Sequence, residues 1–223
     1  MEIDQKMLDD MREWMRNYIN NTCIYRVQPG ELELPSKHPD YTYAWQIYLR
    51  RGLFNSKFQS ILGVLFWDMF QAKFKTAKFQ IAGLETGATP ILSAIVNAAS
   101  LFDIECNAFS IRADRKKYGL FNRFEGIVDY KTPVLIVDDI SNSKDTIHKA
   151  LFYCTSGGLQ VVRDAFTIIN KDPTNIEQDK YVGNQLNVKS IFSLNDFDLM
   201  YNDYIAKNGN INLVDFERER GDK

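Results

Sequence analysis

The chain has 223 residues, 45% of them hydrophobic and 25% charged, which is enough for one sizeable core and ordinary for a globular protein. A formal net charge of −2 provides no global field that would gather nucleic acid or an anionic membrane, so any anion site has to be local. Three cysteines, Cys23, Cys106 and Cys154, odd in number and far apart, match neither a disulfide framework nor a zinc pattern and read as small buried or half-buried side chains in a reducing compartment.

The N-terminus carries Asp4, Lys6, Asp9 and Asp10 among its apolar residues, unlike a signal peptide. No apolar stretch approaches the roughly 20 residues that span a bilayer, and a cytoplasmic protein is expected. Met7, Leu8, Met11, Trp14, Met15, Tyr18 and Ile19 recur at spacings of three and four, which predicts an amphipathic helix. Pro29, Gly30, Pro35 and Pro39 break the pattern, after which Tyr41, Tyr43, Trp45 and Ile47 alternate as in a half-buried strand. A second helix is predicted from Asn55 or Ser56, a cap candidate, through Phe58, Ile61, Leu62, Leu65, Phe66, Met69 and Phe70.

From Phe79 onward the texture is β-α-β. FQIAG reads as a buried strand, LETGAT as a loop, and PILSAIVNAASLF as a helix with Pro90 in its first turn. The strand candidate IECNAFSI, the charged loop RADRKKYGLFNRFEG, the strand VLIV, a helix from about Asp145 to Ser156, and the strands DAFTIIN and VKSIFSL follow, with a last helix near Asn195. Strands and helices alternating at this length predict an α/β fold with a mostly parallel central sheet flanked by helices.

Within PVLIVDDISNSKDTI, residues 133–147, two adjacent carboxylates stand at the end of a buried strand. Ligands of open α/β sheets sit beyond the carboxyl ends of the strands, and Asp138 and Asp139 fall there. Two ionised carboxylates side by side repel, so they persist most easily where hydroxyls, a metal or cations share the charge. A ribose diol is such a partner. The polar loop after them, just before a helix N-terminus, suits a phosphate. Read alone, the pair could equally be a cap for the next helix, and RADRKKYG a solvated charged run; the phospho-acceptor pocket of a receiver domain fits less well, because there the pair closes the first strand and here about 130 residues precede it.

VLIVDD with its short polar loop and helix resembles the phosphoribosyl diphosphate (PRPP) signature of the type I phosphoribosyltransferases. GLETGATP is similar to that family's diphosphate loop. AFSIRADRKKYG and VKSIFSLNDFDLM resemble, respectively, the strand end with its mobile loop and the last strand of the orotate phosphoribosyltransferase branch. The resemblance runs from about Tyr43 to Tyr204. It implies an N-terminal helix and hood-like segment at 1–45, a phosphoribosyltransferase-like α/β core at 46–205 and a charged tail at 206–223. It also implies transfer of ribose 5-phosphate from PRPP to a nucleobase nitrogen, orotate foremost, with diphosphate released.

By the same resemblance, Asp138 and Asp139 meet the 2- and 3-hydroxyls of the ribose and hold Mg²⁺, while Ser141, Asn142, Ser143, Lys144, Asp145 and Thr146 wrap the 5-phosphate. Glu85, Thr86 and Gly87 lie along the diphosphate, joined by Arg112 and by Lys116 on a loop that closes over a neighbouring subunit's site, which implies a homodimer. Lys37 and Lys171 are the candidates for contacting the base. The sequence departs from the family at several places. Lys144 stands where glycine is usual, and a lysine in left-handed backbone costs on the order of 1 kcal/mol. Asp145 is expected to cap the helix, turned away from the ligand. Ala113 and Tyr118 replace a lysine and a histidine. These departures admit an alternative, a catalytically degenerate relative that binds PRPP or a nucleotide as a sensor or interaction module.

Overall fold

The computed structural model describes residues 3–27, 34, 41–113, 123–142, 144–171, 176–179, 184–200 and 204–206. Helix α1 (Gln5–Tyr18) starts where Asp4 accepts a hydrogen bond from the amide of Met7 at 2.8 Å. A wider π-type turn, Ile19–Cys23, leads it into strand β1 (Ile24–Arg26). The single strand expected at 41–47 is two, β2 (Tyr41–Tyr43) and β3 (Trp45–Ile47). The chain bends at Ala44, whose carbonyl accepts from the amide of Val27, and β3 then pairs antiparallel with β1. Strand β2 pairs instead with β11 (Tyr204–Ala206).

After the short helix α2 (Arg50–Leu53), α3 (Ser56–Thr76) opens under an Asn55 cap, as its sequence predicts. The core then alternates β4 (Gln80–Leu84), α4 (Thr89–Ala99), β5 (Ala108–Ile111), β6 (Phe124–Gly126), β7 (Val134–Ser141), α5 (Asp145–Ser156), β8 (Val161–Asn170), β9 (Ile176–Asp179) and β10 (Asn184–Ser193). The sheet order is β6-β5-β4-β7-β8-β10-β9. Its five central strands are parallel, and β6 and β9 close the edges antiparallel, so the predicted α/β class is present.

Strand β6 lies in what the sequence suggested was a charged loop. Phe124 anchors it by packing edge-on against Phe109, ring centroids 5.3 Å apart. The helix expected near Asn195 is only a 3₁₀ turn, Leu194–Phe197, capped reciprocally by Ser193 and Asp196 and ended by Asp198 in left-handed backbone. Strand β7 is longer than VLIV, so both aspartates are strand residues.

Two apolar layers sandwich the sheet. On one face α3 and α4 bury Phe66, Trp67 and Phe70 against Phe166, and the Trp67 indole donates to the carbonyl of Ile95 at 2.8 Å. On the other, α5 lays Ile147, Leu151 and Cys154 over Ala82, Ile136 and Ala165. Burial raises the thiols of Cys23 and Cys106 to about 11 and that of Cys154 to about 12, so all three stay protonated packing groups.

Candidate active site

Strands β4 and β7 are hydrogen-bonded neighbours, yet the chain leaves β4 toward β5 on one side and β7 toward β8 on the other. Their loops must therefore diverge, which opens a crevice at the carboxyl end of the sheet, the usual ligand position in this architecture. Gly83 and Ala88 keep the first loop close to the sheet. A Cβ on Gly83 would stand 2.3 Å from the Ala88 Cβ and 2.6 Å from the Val137 carbonyl oxygen, so only glycine lets the backbone pass. The loop then brings Gly87 over the paired acids. A Cβ there would lie 3.9 Å from Oδ1 of both Asp138 and Asp139. Glu85, Thr86, Gly87, Asp138 and Asp139 thus share one crevice.

Asp138 is 6% exposed. The Asp139 amide donates to its Oδ1 at 3.0 Å, and the Thr146 hydroxyl, from the first turn of α5, is also bonded to it. Burial, followed by repulsion from Asp139, pushes its carboxyl well above the ordinary range. Asp139 is raised by burial too, but the Ile140 amide, which donates to Oδ1 at 2.8 Å, and the positive charge of Arg50 oppose that. Burial therefore raises both carboxyls, and they titrate as a coupled pair that holds its protons more tightly than free aspartates do.

Two positive charges, Arg50 and Lys171, act on Asp139. Arg50, the first residue of α2, donates from Nη2 to the Thr86 hydroxyl at 3.2 Å. Lys171, just past β8, feels Asp139 while burial lowers its pKa, and its Nζ lies 4.8 Å from the centre of the Trp45 ring. The Lys171 amide donates to the Ser141 carbonyl at 2.8 Å, tying the ends of β8 and β7 together. On the opposite rim, Arg112 at the end of β5 stands 3.6 Å from Glu85 and 3.2 Å from Glu125, strapping the loop after β4 to the sheet edge.

The turn after β7 corrects one expectation. The cap of α5 is Lys144, not Asp145, which is an exposed residue of the first turn, well placed for the helix dipole. Lys144 adopts φ 60°, ψ 7°, the left-handed conformation that its glycine-like position requires, and is 4% exposed. A lysine has no acceptor, so its side chain cannot satisfy the first-turn amides as Asp4 and Asn55 do for α1 and α3. Ser141 Oγ beside this turn is buried with no hydrogen-bond partner among the described residues. Asn142 and Thr146 are exposed on the same turn. Lys37, Lys116 and Ser143 lie outside the described residues.

Arg50 and Trp45 were not legible as site residues in the sequence. The first sits in an Arg-Arg pair that reads as solvated charge, the second in a strand pattern. No group of three or more His, Cys, Asp or Glu residues able to hold a metal occurs among the described residues. Asp138 and Asp139 could supply a cation with carboxylate oxygens only, leaving its remaining positions to water or to a ligand's own oxygens, the habit of Mg²⁺.

No family model matches the chain. Among curated proteins, it is 27% identical over 176 residues to the orotate phosphoribosyltransferase of Rhodopirellula baltica, covering 78% of this chain and 88% of the relative. Among solved structures it superposes with a TM-score of 0.68 on a phosphoribosyltransferase from Corynebacterium diphtheriae, 18% identical, over 85% of this chain and 99% of that one. The Mycobacterium tuberculosis orotate phosphoribosyltransferase in complex with PRPP superposes with a TM-score of 0.61 at 20% identity, over 84% and 92% of the two chains. The chain shares the fold of these solved phosphoribosyltransferases, and its sequence is similar to that of a curated orotate phosphoribosyltransferase.

Proposed function

We propose that this relative of the orotate phosphoribosyltransferases transfers ribose 5-phosphate from PRPP to a ring nitrogen of orotate and releases diphosphate, a step of pyrimidine nucleotide synthesis. The observation that carries the reading is the crevice in which Gly87 lies against Asp138 and Asp139 while Lys144 and the amides of α5 stand at the next turn. The curated similarity supplies orotate as the acceptor. A binding-only role has no observation in its favour among the described residues.

In this reading the sugar hydroxyls donate to the carboxyl groups of Asp138 and Asp139. The turn Ser141, Asn142, Ser143, Lys144, Asp145 and Thr146 receives the 5-phosphate through first-turn amides, hydroxyls and the Lys144 ammonium. Glu85, Thr86 and Gly87 present backbone to the diphosphate, with Arg112 and Lys116 adding charge. As the lone pair of the acceptor nitrogen forms the new bond to C1, the electron pair of the C1–O bond departs with diphosphate, and the acceptor's N–H proton passes to solvent. The protein's task is to fix both reactants and stabilise charge on the leaving group.

Asp138 and Asp139 would hold Mg²⁺ together with substrate oxygens, and the ion would neutralise developing negative charge. Lys171, half-buried beside Trp45, is the described cation suited to an acidic base, with Lys37 assigned to the same role from the sequence. A homodimer in which Lys116 serves a neighbouring site, a hood at 1–45 over a core at 46–205, and a cytoplasmic location complete the proposal. The test is diphosphate release from PRPP with orotate, uracil, adenine, guanine and hypoxanthine supplied separately, with and without Mg²⁺. Turnover with orotate alone is expected. Turnover with a purine instead would move the reading to another branch, and silence with every base would overturn it.

A further inference from the structure

Resting on the proposed reaction, we infer that Arg50 is a catalytic residue that binds the departing diphosphate. Its position carries the assignment. Its guanidinium donates to Thr86 Oγ1 at 3.2 Å, so it stands against the loop assigned to the diphosphate. Thr86 adjoins Gly87, which lies against the carboxylates assigned to the ribose, and the charge of Arg50 acts on one of them, Asp139. A group that reaches both is near the junction between sugar and diphosphate, where the bond breaks.

Need and chemistry agree with the position. Arg112 faces two carboxylates, at 3.6 Å and 3.2 Å, so much of its charge is already offset. Ala113 brings no charge where a lysine would be expected, and Thr86 brings a neutral hydroxyl to the loop. A leaving group that accumulates negative charge therefore needs more positive charge than Arg112 alone supplies. Arg50 offers a planar fork of five donors, of which the Thr86 bond occupies one. It is exposed at the rim, so no core packing ties it to its present rotamer. Arg50 reaches the crevice from α2, in a part of the chain remote in sequence from the loops that form the crevice, and no motif points to it.

Calorimetry with three probes in the presence of Mg²⁺, PRPP, inorganic diphosphate and ribose 5-phosphate, separates this assignment from the reading beneath it. Wild-type protein that binds none of them overturns the phosphoribosyl site itself and this inference with it. If the site stands, Arg50→Gln is expected to weaken PRPP and diphosphate by about 10- to 100-fold, the loss of a charged hydrogen bond, and to leave ribose 5-phosphate unchanged. Arg50→Lys should recover part of the diphosphate affinity but not the bidentate geometry. Diphosphate bound equally well by wild type and Arg50→Gln, or all three probes weakened alike, overturns the assignment. Because Arg50 is exposed, the variant should melt with wild type, which a thermal scan verifies.

Discussion

Thr146, in the first turn of α5, is hydrogen-bonded to the carboxylate of Asp138, in the last part of β7. The bond joins the two halves of the signature, the acids that would grip a sugar and the turn that would take its phosphate, into one unit. It also keeps Asp138 oriented although most of its solvation is lost.

Asp138→Asn should lose about 10- to 100-fold in PRPP affinity, because a sugar hydroxyl then meets a neutral amide in place of a shared carboxylate pair. Its effect on stability has the opposite sign. Asp138 rises from 3.8 to about 7 on folding, so the folded chain binds its proton more tightly than the unfolded one. That contribution is complete below 3.8 and is lost as pH climbs through about 7. The melting temperature of the variant relative to wild type should therefore increase from pH 4 to pH 8. A difference that stays constant with pH would show that folding does not raise the Asp138 carboxyl.

Gly83→Ala and Gly87→Ala should separate fold from function. At Gly83 the added methyl meets the Val137 carbonyl oxygen at 2.6 Å and the Ala88 Cβ at 2.3 Å, so about 1–3 kcal/mol of stability is lost to overpacking. At Gly87 its nearest neighbours are the carboxylates at 3.9 Å, and the backbone is not left-handed, so stability should change by less than about 1 kcal/mol. The Gly87 methyl would nevertheless stand between loop and acids, and PRPP binding should fall by about tenfold or more. Urea melts and calorimetry on the two variants check both halves.

Lys144→Gly removes the left-handed strain, worth on the order of 1 kcal/mol, while also freeing the unfolded chain by a similar amount. Stability should change little. Affinity for ribose 5-phosphate should drop about tenfold if the ammonium serves the phosphate. An unchanged affinity in Lys144→Gly would mean that the amides of α5 suffice and that the lysine is tolerated but not used.

Lys171→Met is expected to raise KM for orotate by about tenfold and to change PRPP binding much less, since the cation faces the Trp45 ring. Trp45→Phe, which weakens the cation–π contact but keeps an aromatic ring, should raise the same KM by only a few-fold. Initial-rate kinetics with each substrate varied in turn distinguish these effects; a change in KM for PRPP as large as that for orotate would place Lys171 elsewhere.

The parallel core and the acid pair were legible because both follow short-range rules: buried strands give unbroken apolar runs, and ligand residues fall at their carboxyl ends. Asn55 was readable as a cap for the same reason. Less local features were hidden. The division of 41–47 depends on partners far along the chain, Val27 for the bend and Tyr204–Ala206 for the pairing. Edge strand β6 is held by Phe124 on Phe109, a contact that charged neighbours disguise. Asp145 looked like the cap because aspartate suits that role, whereas the turn gave the position to Lys144 in left-handed backbone. Arg50 carries no local mark at all; only the third dimension places it on Thr86.

The pairing of β2 with β11 bears on the order of assembly. Joining Tyr43 to Tyr204 closes most of the chain into one loop, and closure entropy grows with loop length. The parallel strands need only the much shorter crossovers between consecutive elements, so that ribbon is expected to zip late. The acids and the phosphate turn would then be in place before the neighbourhood of Trp45 and Lys171 is finished, and hydrogen exchange should find the Tyr41–Tyr43 amides opening well before those of β7.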